Sequence, residues 1–151
     1  MRAFEFRLQT KLDITLQQEE LARVELVEKQ AAYDREMAEL QRLEAHLEAV
    51  YDSLRGKRGG IHVDSFIITK DYVKFMREQI DNQYRVVEEA EQILEIARFQ
   101  YLELAKERKA LEKLYEREFQ EYLREVNRAE QTLIDEVALS RFWRAERGGS
   151  E

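Results

Sequence analysis

The chain has no cysteine and no proline. The first absence excludes disulfide staples and thiolate metal sites. The second leaves no residue that forces a helix to break. Glycine is nearly as scarce. Gly56, Gly59 and Gly60 sit together, and the other two, Gly148 and Gly149, lie next to the C-terminus. Helix-unfriendly residues are therefore confined to one internal spot and one tail. No stretch reaches the ~18 apolar residues that would span a bilayer. The opening "MRAFEFRLQTKLD" carries no apolar run of signal-peptide kind. The reading is a cytoplasmic protein with no membrane span.

Chemistry-bearing residues are sparse as well. Of the two histidines, His46 lies among glutamates in "RLEAHLEAV" and His62 follows the glycines, two residues before Asp64. Neither has metalloprotease or metal-ligand spacing. "GKRGG" lacks the spacing and the following Ser or Thr of a phosphate loop. Ser53, Ser140 and Ser150 have no histidine within one helical turn. Carboxylates are abundant, but on a narrow helical protein they form a solvated face with no cavity to shift their ionisation. The sequence therefore predicts no catalytic, cofactor-binding or metal site and no enzyme. A net charge of −7 also argues against general nucleic-acid binding.

What the chain does have is helical periodicity. Charged residues make up 38% and apolar ones 44%, spread evenly, a composition suited to long exposed helices. After the glycines, Val73, Met76, Ile80, Val87, Ala90, Leu94, Ala97, Tyr101, Leu104 and Leu111 recur at alternating steps of three and four, with Gln83 and Arg108 as polar members. That is the heptad signal. It continues through Tyr115, Phe119, Tyr122, Val126, Ala129, Leu133 and Val137, but the two steps of four at 111–115–119 break it and predict a locally unwound supercoil. In the first half, Leu12, Leu16, Leu26, Tyr33, Met37, Leu40, Leu47, Tyr51 and Leu54 share one frame, interrupted by Glu19, Arg23, Gln30 and Glu44. Ala22, Val27, Leu43 and Val50 flank and widen that stripe.

These patterns predict an all-α fold, a long two-helix antiparallel coiled-coil hairpin with a longer second helix, forming a single domain over 1–151. Helix one spans about 9–54, the turn about 55–69 and helix two about 70–145, with rises of roughly 70 and 110 Å. Neither helix can bury its stripe alone, and the cheapest partner of each is the other. Gly56, Gly59 and Gly60 supply the reversal because they take positive φ without strain. Arg55, Lys57 and Arg58 put positive charge at the C-terminal end of helix one. "SFIITKDYV" at 65–73 reads as turn or first helical turn. Thr69 is one candidate N-cap and Asp64 a rival that starts the helix earlier; a short strand is a third reading.

Unequal helices leave an end. With Leu54 opposite Val73, about the last 20 residues of helix two extend past the N-terminus. They carry Leu133, Ile134, Val137, Leu139, Phe142 and Trp143. Such a cluster either contacts a partner or is covered by the alternating "FEFRL" of Phe4, Phe6 and Leu8. A self-associating structural coiled coil is the alternative for the whole chain, although a continuous rod has no need of a glycine turn.

Several segments resemble the FliJ family of flagellar export proteins. They are the opening "FEFRLQTKLD", "AKERKALEKLYERE" with Arg108, Lys109, Leu111, Glu112 and Leu114, and "RAEQTLIDEVALSRFWR", whose Asp135, Glu136, Ala138 and Arg141 give an Asp-Glu-x-Ala-x-x-Arg pattern. The resemblance runs along essentially the whole chain. It implies a cytoplasmic, non-enzymatic stalk of the flagellar type III secretion apparatus, associated peripherally with the inner membrane, with no cofactor. It implies three partners: the centre of the hexameric export ATPase, the cytoplasmic region of the membrane export gate, and export chaperones. By the same resemblance the gate contact falls on Tyr72, Met76 and Gln79. The ATPase-facing tip falls on Gln131, Asp135, Glu136 and Arg141, with Phe142 and Trp143 as an apolar anchor. The stalk protein of a virulence-type secretion system is a further reading of the same shape.

Overall fold

A computed structural model describes residues 2–56, 60 and 62–149. It contains two α-helices, α1 over Gln9–Arg55 with 47 residues and α2 over Val63–Gly148 with 86. They form an all-α antiparallel hairpin in which the second helix is the longer. The chain divides into two compact units, residues 18–104 and residues 1–17 with 105–151.

The unit over 18–104 holds the turn. Helix α1 ends where the Gly56 N–H donates to the Asp52 carbonyl, 3.1 Å away. Gly60 alone among the described residues takes positive φ, at 88°, a conformation that strains any side chain with a Cβ. Lys57, Arg58 and Gly59, which the sequence assigns to the turn, lie outside the described residues. Helix α2 begins at Val63, not near residue 70. The Phe66 N–H reaches the His62 carbonyl at 2.9 Å, which closes the first helical turn. Asp64 stands in that first turn, where a carboxylate suits the helix dipole. Thr69 is not a cap: its hydroxyl donates back to the Ser65 carbonyl at 2.8 Å, inside the helix. The apolar run 66–68 is thus helical, neither turn nor strand.

The seam of this unit follows the heptads of α2. Met76, Ile80, Val87, Leu94 and Ala97 are all buried, Leu94 to 1% exposure. Leu40 packs with Ile80 and Val87, and Tyr33, Met37, Leu43 and Leu47 close around them. On α1 the second seam position shifts by one residue from the sequence frame. Arg23 and Glu44 are exposed while their neighbours Ala22 and Leu43 turn inward. Those two polar intruders thus reach water, while Glu19 and Gln30 stay half-buried in the seam. Val27, expected to widen the stripe, is exposed. Antiparallel order is set by cross-helix pairs: Arg77 donates to the Tyr51 hydroxyl, Arg98 to Gln30 at 3.0 Å, and His46 meets the Tyr72 hydroxyl.

In the other unit the same substitution of neighbours occurs. Thr15 is 2% exposed and Leu16, the residue the frame favoured, is exposed. The heptad break at 111–115–119 coincides with a change of partner. Here α2 faces the non-helical start of the chain. Phe6 and Leu12 form a core with Leu111, flanked by Phe4, Leu8, Leu114 and Tyr115. Phe4 places its ring 5.4, 5.3 and 5.5 Å from those of Tyr115, Phe119 and Tyr122. Steps of four line aromatic rings along one face of a helix. Such a ladder accepts rings from an extended strand of chain, where heptad knobs would need a helix. The Tyr122 hydroxyl donates to the Arg2 carbonyl at 3.0 Å, and Arg7 and Lys11 lie 3.5 and 3.7 Å from Glu118 and Glu107.

Candidate functional site

Three surfaces bear on function. The first is the end of α2. Every described residue from Asn127 to Gly149 is exposed. Along it Leu133, Ile134, Val137, Leu139, Phe142 and Trp143 keep roughly half or more of their surface in contact with solvent. The segment "FEFRL" does not cover them, since Phe4, Phe6 and Leu8 pack lower on α2, against 111–122. Of the two sequence expectations for the tip, self-packing by that segment is overturned. The tip is helical because its own backbone closes each turn and side-chain pairs bridge them. Gln131 donates to Asp135 at 3.1 Å, and Thr132 to the Arg128 carbonyl at 2.9 Å. Leu133, Ile134, Val137, Ala138 and Arg141 bound a shallow apolar depression. The Phe142 and Trp143 rings meet edge to face, 6.3 Å apart. Gln131, Asp135, Glu136, Arg141, Phe142 and Trp143 are therefore brought together on one helix end.

The second surface lies early in α2. Tyr72 and Gln79 are exposed, whereas Met76 is buried in the seam at 5% exposure. Sequence reasoning passed over Phe75, half-exposed between Tyr72 and Gln79. A signal for it existed: Phe75 stands outside the heptad frame and is therefore apolar without a seam role. Val50, Ser53, Leu54, Ile68, Thr69 and Tyr72 line a small groove beside it. The third surface is an open, nearly all-apolar furrow between α1 and α2, lined by Leu21, Ala22, Phe99 and Leu104 with Gln18, Glu25, Gln100 and Glu103 at its edges.

None of these surfaces is built for catalysis. Among the described residues no three metal-capable side chains converge, and no buried side-chain polar atom lacks a hydrogen-bond partner. Several surface pairs shift ionisations. Hydrogen bonds from Arg23 and Arg42 hold the Glu20 and Glu39 carboxyls below their usual range, and a bond to Glu44 raises Tyr84. No helix of the described residues is long and apolar enough to cross a membrane.

A helical hairpin whose longer arm ends in an uncovered apolar tip belongs to the class of docking proteins, which act through contacts with other chains. Compared with known protein families, residues 4–147 match the model described as "Flagellar FliJ protein". The chain belongs to the FliJ family, whose members are non-enzymatic coiled-coil components of flagellar protein export by type III secretion, with a stalk and chaperone role. No curated protein and no solved structure matches it.

Proposed function

We propose that this chain is the stalk-like subunit that enters the centre of the hexameric flagellar export ATPase, touches the export gate and escorts export chaperones. It works peripherally at the inner membrane. The observation that carries this reading is the bare tip. Six large apolar side chains between Leu133 and Trp143 stay in water on a helix that packs well elsewhere. A soluble protein keeps a cluster of that size exposed where a partner covers it. A single helix end is narrow enough to enter a ring, about 10 Å across with its side chains. There Phe142 and Trp143 anchor it, and Gln131, Asp135, Glu136 and Arg141 form the polar contacts.

The gate contact uses the Tyr72 side of α2, with Gln79 and the exposed Phe75. Met76 contributes by packing that stretch of helix onto α1. Tyr72 is already oriented, because its hydroxyl meets His46 and the two rings cross at 87°. A fixed aromatic loses less freedom on binding than a mobile one.

The test is ATPase activity of the cognate export enzyme with the full chain and with a chain ended at residue 128. Stimulation by the first and none by the second supports the reading. No stimulation by the full chain counts against it. Pull-down of the gate's cytoplasmic region with Tyr72→Ala addresses the second contact, and binding equal to that of the unmodified chain removes Tyr72 from it.

A further inference from the structure

Helix α2 has a flank on each side of its seam, and the two differ. On one, Arg77, Asp81, Tyr84, Glu88, Glu91 and Glu95 follow at steps of four and three, and all but the tyrosine are charged. This flank is tied to α1. Arg77 donates to the Tyr51 hydroxyl, the Tyr84 hydroxyl to Glu44 and Arg98 to Gln30. On the other flank, Gln79, Asn82, Val86, Glu89, Ile93 and Ile96 follow at steps of three and four, and the series runs on to Gln100. Glu89 is its one charge, in a chain of which 38% is charged. Val86, Ile93 and Ile96 are 39%, 49% and 60% exposed. Among the described residues, no side-chain hydrogen bond joins the helices on this flank between Gln79 and Gln100.

The spacing of this open flank defines what can cover it. Helix α2 already meets two kinds of chain within the protein. Along the seam, where its apolar residues alternate steps of three and four, Ile80 and Val87 pack on Leu40 of the helix α1. Where the steps are four, at Leu111, Tyr115 and Phe119, it meets the extended residues Phe4 and Phe6. The series over 79–100 repeats the first spacing. A repeat averaging 3.5 residues stays in line with a second helix lying alongside. A bilayer imposes no such register, and an extended strand follows a different one. The far end of the flank opens into the furrow between α1 and α2, walled by Leu21 and Phe99, which are 70% and 64% exposed. The open flank is thus continuous with the α1–α2 seam, and a helix laid along it touches both.

We propose that this flank docks an amphipathic helix of another protein, which completes a three-helix bundle over residues 79–104. Leu21, Val86, Ile93, Ile96 and Phe99 form the apolar floor. Gln79, Asn82 and Gln100 are uncharged polar groups at seam positions, and such groups fix a register. At the rise and width of a helix the contact is about 32 Å long and roughly 10 Å across, a footprint of roughly 300 Å². Even doubled for the relief of side chains, it stays below the ~800 Å² that each side of a stable complex buries. The occupant is therefore a partner that arrives and leaves, not a permanent second copy of this chain. The flank adjoins the Tyr72 surface at Gln79 and is separate from the tip, so the inference depends on neither gate nor ring binding.

The probe is a designed, labelled peptide of about four heptads, with leucines at alternating steps of three and four and no net charge. Its control has the same composition with leucines at every second position. Each is titrated with the full chain by fluorescence anisotropy. The first should bind saturably and the second at least ~tenfold more weakly. Ile93→Glu with Ile96→Glu should weaken binding of the first roughly tenfold or more, because carboxylates then face its leucines. Both isoleucines are exposed, so circular dichroism should show an unchanged melting temperature. Should that variant melt early, the milder Ile96→Gln repeats the titration. Leu133→Glu with Val137→Glu, made at the tip, should leave peptide binding unchanged. The proposal is overturned if neither peptide binds, if both bind equally, if the isoleucine variant binds like the unmodified chain, or if the tip variant loses binding as fully. Sedimentation equilibrium of the chain alone completes the test. A monomer is expected, and a dimer that dissolves in the isoleucine variant would make a second copy the occupant and overturn the proposal.

Discussion

Gln83, a polar residue in the middle of the α2 seam, donates through its amide to both the main-chain carbonyl and the carboxylate of Glu36, at 2.9 and 2.8 Å. The pair locks one residue of α2 against one residue of α1. In a seam of interchangeable aliphatic contacts, a polar residue that is satisfied in one alignment only selects that alignment. Gln83→Leu should raise the melting temperature and broaden the register. Spin labels at Val27 and Phe99 would read one distance in the unmodified chain and a spread in the variant. A single sharp distance in both would show that Gln83 does not set the register.

Leu94 is the most deeply buried side chain of the unit that holds it. Leu94→Ala should cost about 2–5 kcal/mol, because a two-helix seam offers few neighbours to refill the cavity. Leu102, exposed two turns on, should cost no more than about 0.5 kcal/mol when replaced by alanine. Urea unfolding followed by circular dichroism separates the two. Equal losses would place the seam elsewhere.

Tyr84 gives an alkaline signature. Its hydroxyl donates to Glu44, and that bond, helped by the carboxylate's charge, holds its ionisation above the usual tyrosine range. The protonated form is the one favoured by folding. Its contribution is complete below the ordinary tyrosine ionisation and is lost as pH rises through the elevated folded value. Absorbance titration should show one late-ionising tyrosine, absent in Glu44→Gln. Glu39, held low by its bond to Arg42, behaves in the mirror sense: its contribution is present above the usual carboxylate range and fades as pH falls. A late component that survives Glu44→Gln would assign it to another tyrosine.

The tip and the N-terminal aromatics should separate function from stability. Phe142→Ser with Trp143→Ser removes exposed rings and should leave the melting temperature nearly unchanged while ending ATPase stimulation. Phe6→Ala empties the aromatic core around Leu111 and should cost about 3 kcal/mol. A tip variant that melts early would show that the tip packs against something within the chain.

Much of the fold was legible from residue types alone. The seam of α2 runs as its heptads predict, because one residue in three or four is apolar and the helix has no other way to bury them. The first helix was less legible. Its frame offered Leu16, Arg23 and Glu44, while the structure buries Thr15 and half-buries Ala22 and Leu43. Side chains one position apart point about 100° apart, and only the partner helix decides which of two neighbours faces it. The start of α2 was misread for a related reason. Isoleucines 67 and 68 are β-branched and look like turn or strand, but a helix already nucleated at His62 carries them without difficulty.

By itself, the sequence determined that this chain is two helices joined at its glycines, that the second outlasts the first, and that its end is apolar. Those follow from composition and period, which act along one chain. Only the tertiary structure decided that Phe4 and Phe6 settle on the ladder of Tyr115, Phe119 and Tyr122 and leave the tip bare. It also decided that Met76 is buried while Phe75 is exposed. Each of these depends on which surfaces meet across space, and a one-dimensional pattern carries no information about a neighbour's distance.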